Sequence, residues 1–245
     1  MKILLLRFSA IGDIVLTTPV IRCLKQQVPG AQVHYFTKKQ FAPLLRPNPY
    51  LDKLYLLDDN LTDLIPILKK EHYDVVIDLH NNLRTARIKA ALRVKSHGFY
   101  KQNLEKWLMV NFKVDRLQHN HIVDRYMATT LPLGVKNDGE GLDFFIAPED
   151  ELDLSAELPA AFQSGYIGIA IGAQHKTKIY PPALVAQLCD GLSLPVVLLG
   201  GHADFENGEA IVANCKHNKV YNACGKYSIA RSADLVRKAS AMVSN

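Results

Sequence analysis

Between Lys2 and Arg22 the chain reads Lys-Ile-Leu-Leu-Leu-Arg-Phe-Ser-Ala-Ile-Gly-Asp-Ile-Val-Leu-Thr-Thr-Pro-Val-Ile-Arg, and this stretch narrows the choice of fold more than any other. Ile3 to Leu6 is an unbroken apolar run with charge on both sides, the pattern of a strand buried on both faces of a parallel sheet. A short connection, Phe8 to Ile11, leads to Gly12-Asp13, which opens an amphipathic helix. In open α/β sheets, ligands bind where a parallel strand hands over to a helix. Asp13 therefore has two readings at this point. It caps its helix, as acids do at that end by hydrogen bonding and by the helix dipole, or it is a carboxylate aimed into a cleft as a general base.

The 245 residues suffice for one large or two modest domains with real cores. A hydrophobic share of 48% and a charged share of 22% belong to a soluble globular chain, and no apolar run approaches the ~20 residues that span a bilayer. Arg7 interrupts the apolar run at Leu4 to Leu6 and Gly12-Asp13 follows it, so this run is not expected to be a secretory leader. Cys23, Cys189, Cys215 and Cys224 form neither a C-x-x-C pair nor a zinc spacing, so free thiols in a reducing cytoplasm are the expectation.

After the opening unit, strand-like runs at Gln32 to Thr37, Lys53 to Leu57 and Val75 to Leu79 alternate with helical stretches at Leu61 to Glu71 and Leu83 to Val94. That alternation predicts βαβ units and a doubly wound parallel sheet. A short strand at His97 to Phe99, helices at Asn103 to Phe112 and His121 to Leu131, and a closing strand at Leu142 to Ile146 complete the first half. The acidic, proline-bearing segment Ala147 to Gln163 reads as a connector with one short helix, and the expected domains are residues 1–160 and 161–245. A second alternation follows: strands at Tyr166 to Ile171, Pro195 to Leu199, Lys219 to Asn222 and Ala241 to Ser244, with helices between them.

Three loops at strand ends in the second half can carry chemistry. Gly172 to Tyr180 holds His175, Lys176 and Lys178; lysines between a strand and a helix suit a phosphate, and a solvated loop explains them equally well. Gly200-Gly201-His202-Ala203-Asp204 permits close backbone approach, with Asp204 either a ribose acceptor or only a cap. Cys224 to Ser228 supplies a helix N-cap in Ser228 and an ambiguous Lys226. Neither dinucleotide glycines nor a P-loop are in place, which weighs against a nicotinamide-dependent oxidoreductase and a P-loop enzyme. His119-x-His121 reads as loop and helix-start polarity, and no Asp-x-Asp metal signature occurs. In the first half, nine lysines and arginines between Arg84 and Arg116 face only Glu105 and Asp115, an imbalance that predicts an anionic partner. With no aromatic stacking platform beyond Phe99, Tyr100 and Trp107, and no recognised module, nucleic acid is not expected to be that partner.

Arg7 to Pro19 resembles the N-terminal signature of the family 9 glycosyltransferases, the lipopolysaccharide heptosyltransferases. So do Asp78-Leu79-His80-Asn81-Asn82-Leu83-Arg84 and His121 to Tyr126 running on to Leu133-Gly134. Lys178-Ile179-Tyr180-Pro181 is similar to that family's donor loop, and Gly200-Gly201 with Asp204 to its ribose-binding turn.

The resemblance implies a GT-B architecture: two Rossmann-like, doubly wound parallel sheets facing each other across a cleft, the second incomplete in this chain. It implies an inverting transfer, without catalytic metal or other cofactor, of a heptose or related sugar from an ADP-sugar to an anionic, lipid-linked lipopolysaccharide core acceptor. The enzyme would work in the cytoplasm, with peripheral contact to the inner membrane. Asp13 would be the general base. Gly12, Gly172, Lys176, Lys178, Gly200, Gly201 and Asp204 would bind the donor, and Arg84, Arg87 and Arg125 the acceptor. Ile171, Ile179 and Tyr180 depart from the usual Pro, basic or polar residue, and Trp beside the donor. The family's Asp-Thr-Gly-x-x-His loop would follow Asn245, so the chain resembles a truncated member, for which a non-catalytic fragment binding acceptor or membrane surface is the competing expectation.

Overall fold

The structure, a computed structural model of residues 1–245, describes every residue except Asp59, Gln118, Gln174, Asn218 and Asn245, and the side chain of Lys176. The chain forms two compact units, Met1–Phe145 and Ile146–Asn245.

In the first unit, β1 (Lys2–Leu6) leads through α1 (Ile11–Val15) and α2 (Thr18–Gln27) to β2 (Gln32–Lys38) and β3 (Lys53–Leu57). Then come α3 (Leu61–Lys70), β4 (Val75–Asp78), α4 (Leu83–Leu92), β5 (Lys95–Gly98), α5 (Asn103–Phe112) and α6 (Ile122–Met127). The five strands are parallel in the order β3-β2-β1-β4-β5. Ile3, Leu4, Leu5 and Leu6 are all fully buried, as a central strand covered on both faces requires. Because β1 has β2 on one side and β4 on the other, connections depart in opposite directions there. The carboxyl ends of β1 and β4, with Leu6 opposite Asp78, form the topological switch point.

The strand expected at Leu142 to Ile146 does not form; residues 141–147 have no regular structure. The competing interaction is on α2. Arg22 is buried there, and its guanidinium is bonded by Asp138 (2.7 and 2.8 Å) and Asp143, while the Asp143 amide donates to Thr18 Oγ1 at 2.9 Å. A buried arginine without a carboxylate is costly, so this segment is held against α2 and does not extend the sheet. The bonds from Asp138, more than the opposing burial, raise the Arg22 pKa above its ordinary value, and Arg22 in turn holds the Asp138 carboxyl well below the usual carboxylate range.

The second unit starts earlier than residue 161. It runs through α7 (Leu154–Glu157), β6 (Ile167–Ala170), α8 (Pro182–Asp190), β7 (Val196–Leu199), α9 (Phe205–Asn214), β8 (Val220–Asn222), α10 (Ile229–Lys238) and β9 (Ala241–Ser244). The sheet is parallel in the order β8-β7-β6-β9. Alternate residues of β7 feed two cores: Val196 and Leu198 pack with Val185, Cys189 and Ile211, whereas Val197 and Leu199 pack with Leu152, Leu158, Phe162 and Leu235. The segment expected to be a connector thus covers one face of the second sheet. Its Leu152 amide donates to buried Asp234 at 2.7 Å, and Glu151 pairs with Arg237 at 3.0 Å. The sequence reads as a boundary because its acids dominate the composition; the few apolar residues between them decide the packing. All four cysteines are free.

Candidate functional site

At the switch point of the first sheet, the chain leaves β1 through Arg7 and enters α1 with Asp13 in its first turn. Arg7 is almost wholly buried and its guanidinium ties three segments together. Nε donates to Ser9 O (2.7 Å), Nη1 to Leu79 O (2.6 Å), and Nη2 lies 2.5 Å from Asp13 Oδ2. The same Oδ2 accepts the Ala10 amide at 3.2 Å. Asp13 Oδ1 makes no hydrogen bond to a described residue, and the side chain is 41% exposed. Capping and a free carboxylate oxygen therefore coexist in one residue.

The loop after β4 closes the other side. Asp78 is fully buried; its Oδ1 accepts the amides of His80 (3.1 Å) and Asn81 (2.7 Å), and Oδ2 lies 2.8 Å from Lys89 Nζ. Those bonds set the course of the loop and bring the His80 ring edge-on to Phe8. Burial, reinforced by the charges of Arg7 and Lys101, pulls the His80 pKa down to about 4, so the ring is neutral at neutral pH. Its Nδ1 is buried without a partner among the described residues.

Arg7, Asp13, His80, Lys101, Lys106 and Arg125 share a cavity of about 210 Å³, floored by Phe99 and Tyr126. Arg125 stacks over Phe99 at 5.7 Å and donates to Tyr100 O. Burial and the nearby Arg7 charge lower the Lys101 pKa. One carboxylate among four cations makes a setting for an anionic ligand with a hydroxyl to offer.

Of the three expected acceptor residues, only Arg125 joins Asp13. Arg84 and Arg87 line a separate cavity of about 380 Å³ with Asn60 and Thr62, and Arg84 lies over the Phe8 ring at 5.4 Å. Gly12 is exposed in α1, with open space where a Cβ would be. His80, Lys101 and Lys106 were not singled out as site residues. His80 lies inside the Asp78-to-Arg84 motif and the two lysines inside the basic stretch, so the residues were visible but their convergence was not. His119 and His121 are local: His121 Nδ1 caps α6 by accepting the Val123 amide, and His119 lies 3.4 Å from Asp115.

In the second unit, Lys178 is exposed on the helical turn Lys176–Lys178, and its amide donates to His175 O at 2.9 Å. The Lys176 side chain lies outside the described residues. Asp204 ties the glycine turns together. Its Oδ2 accepts the Gly201 amide at 2.8 Å, and a Cβ on Gly172 would lie 2.2 Å from that oxygen, one on Gly200 2.8 Å from the Asp204 Cβ. Both glycines are therefore required by the close approach of Asp204. Ser228 caps α10 and Lys226 lies over the Tyr221 ring at 4.3 Å. Beside β6 and β9, a largely apolar groove of about 530 Å³ is lined by Ile171, Tyr180, Leu184, Leu188 and Val243. Among the described residues, no three His, Cys, Asp or Glu side chains are grouped to hold a metal, and no helix is long and apolar enough to cross a membrane.

Residues 62–245 match the model of the family described as Glycosyltransferase family 9 (heptosyltransferase). The chain belongs to glycosyltransferase family 9. Among curated relatives, it is 28% identical over 204 residues to lipopolysaccharide heptosyltransferase 1 of Campylobacter coli, covering 77% of this chain and 60% of that protein. It is 25% identical over 241 residues to lipopolysaccharide heptosyltransferase 3 of Escherichia coli strain K12, covering 88% and 68%. The chain thus spans less than two thirds of the first of these relatives. Solved structures that match over the whole chain include a family 9 glycosyltransferase from Veillonella parvula DSM 2008 (TM-score 0.81, 23% identity, 74% of that chain) and the E. coli ADP-heptose lipopolysaccharide heptosyltransferase II (TM-score 0.78, 20% identity, 79%). The fold is that of the GT-B glycosyltransferases, with two parallel sheets, of five and four strands.

Proposed function

We propose that this family 9 protein transfers a heptose, or a related sugar, from an ADP-sugar to an anionic lipopolysaccharide core acceptor, with inversion and without a catalytic metal. The observation that carries the reading is Asp13 in a cation-ringed cavity at the first sheet's switch point, with Oδ2 held by Arg7 and the Ala10 amide and Oδ1 free of described partners. Oδ1 takes the proton of an acceptor hydroxyl as that oxygen forms a bond to the anomeric carbon. The bond from that carbon to the diphosphate breaks on the opposite face, ADP departs with the electron pair, and configuration inverts. The transition state is oxocarbenium-like. Lys101, Lys106 and Arg125 hold the acceptor's phosphates or carboxylates, and Arg84 and Arg87 offer a second anionic subsite. On the donor side, Lys178, with Lys176, stabilises the departing diphosphate electrostatically. The turns at Gly172 and Gly200-Gly201, shaped by Asp204, admit the nucleotide, and the groove beside Tyr180 receives its apolar face. The likeness to lipopolysaccharide heptosyltransferases supports the heptose and lipopolysaccharide assignment, and a solved E. coli heptosyltransferase with ADP, of the same fold (TM-score 0.71), supports the nucleotide. A nucleotide-sugar donor belongs to the cytoplasm, at the inner face of the membrane that carries the acceptor.

The test is transfer from ADP-heptose to a core acceptor by the parent chain and by Asp13→Ala. The variant should lose kcat by roughly 10²–10⁴-fold, with calorimetric ADP binding unchanged. A variant that keeps most of its kcat removes Asp13 as the base, and a parent chain that fails to bind ADP removes the donor assignment.

A further inference from the structure

Helix α5 has no buried residue. A ten-residue helix is marginal in water on propensity alone and is ordinarily stabilised by packing an apolar face, yet α5 turns its largest apolar side chains outward. Leu104 is 62% exposed, Trp107 53%, Val110 68% and Phe112 61%. The Trp107 and Phe112 rings meet edge-on at 5.3 Å. Exposed apolar surface of this continuity marks a contact site.

The charges around it say what kind. From Tyr100 to Leu117 the cations are Lys101, Lys106, Lys113 and Arg116, and the acids only Glu105 and Asp115. Both acids are already engaged: Glu105 accepts the Tyr100 hydroxyl at 2.6 Å, and Asp115 accepts the Leu117 amide at 2.9 Å. Apolar and aromatic side chains rimmed by lysine and arginine, on a helix lying at the surface, suit the boundary between acyl chains and anionic headgroups. We propose that α5 docks the first unit on an anionic phospholipid surface, with Leu104, Trp107, Val110 and Phe112 entering the headgroup region.

The placement of α5 gives that contact a purpose, which rests on the function proposed above. Lys106 of α5 and Lys101 just before it line the Asp13 cavity. A membrane seated on the helix's apolar residues lies about one helix diameter, ~10 Å, from the cavity, so a lipid-anchored acceptor reaches Asp13 without leaving the bilayer.

Trp107 is the single tryptophan of the chain, so its emission reports on α5 alone. The experiment mixes the full chain, without donor or acceptor, with vesicles of phosphatidylethanolamine containing about a quarter phosphatidylglycerol, and follows Trp107 emission and co-sedimentation. The proposal expects a blue shift and sedimentation with the vesicles. Both should weaken by about tenfold or more in Leu104→Asp/Val110→Asp, whose circular dichroism should match the parent. Three results overturn it: no shift and no sedimentation by the parent chain, undiminished binding by the double variant, or burial of Trp107 by self-association that vesicles do not alter. Vesicle binding is read without catalysis, and transfer to a water-soluble acceptor is read without vesicles, so either assignment can fail alone.

Discussion

At the residue scale, the sequence left Asp13 with two readings, and the structure shows the cap together with an oxygen that the cap does not use. Oδ2 serves the helix and the Arg7 guanidinium, and Oδ1 is left over. That division was not legible beforehand, because a motif names residues and not the separate atoms of one carboxylate. His80 makes the same point. It sits in a motif, but its properties come from segments distant in sequence: Phe8 after β1, and Lys101 before α5. Its pKa of about 4 lies below the ordinary 6.5, chiefly through burial, so the unfolded chain takes up the proton first. The stability contributed by the neutral ring is complete above pH 6.5 and is lost as pH falls through about 4. The loss accrues at up to about 1.4 kcal/mol per pH unit between those values. Urea midpoints at about pH 7 and about pH 5 should therefore differ less in His80→Gln than in the parent. His34 and His97 are shifted downward by burial as well, so some slope should remain; an unchanged slope would remove His80 from the account.

At the element scale, the strands and helices were largely legible because their periods differ and their apolar runs are long. Each strand of the first sheet lies within two residues of its predicted place. The exception, Leu142 to Ile146, is instructive. An apolar run of this length is compatible with a strand or with a loop pressed onto a neighbour, and what decides is Arg22, an arginine inside the buried stripe of α2. By periodicity alone, that position is a polar interruption of the stripe. The structure makes it the anchor for Asp138 and Asp143. Arg22→Met should therefore cost more than an ordinary ion-pair deletion, roughly 3–5 kcal/mol, because two largely buried carboxylates lose their partner. Chemical denaturation would measure it. A cost below about 1 kcal/mol, the range of exposed pairs, would mean that the segment finds another way to satisfy those acids.

At the scale of the whole molecule, the division into two α/β units was readable from the alternation, and so were the parallel sheets. The boundary was not. Composition changes at residue 147, but the packing that assigns residues 146–160 depends on Leu152 and Leu158 filling the far side of β7. A chain of residues 146–245 should accordingly be more soluble and more resistant to urea than one of residues 161–245, which exposes Val197, Leu199 and Leu235. Equal behaviour of the two would place the boundary at 160 after all. The site was partly legible for the same reason. Its strand-end loops follow from topology, whereas the meeting of Arg7, His80, Lys101 and Arg125 follows from tertiary structure alone.

The contrast between β1 and α5 has a consequence in time. Local opening frees backbone amides at rates set by how much buried surface must be disrupted. The residues Ile3 to Leu6 are fully buried and bonded on both sides, so their amides are released to solvent only when the whole first unit opens. Those of α5, which has no buried residue, are released many times in each such interval. The proposed base follows a slowly opening strand after a short loop, and the proposed membrane contact rides on a helix that opens readily. The surface can fluctuate and remodel against a bilayer while the carboxylate keeps its position from one opening of the unit to the next.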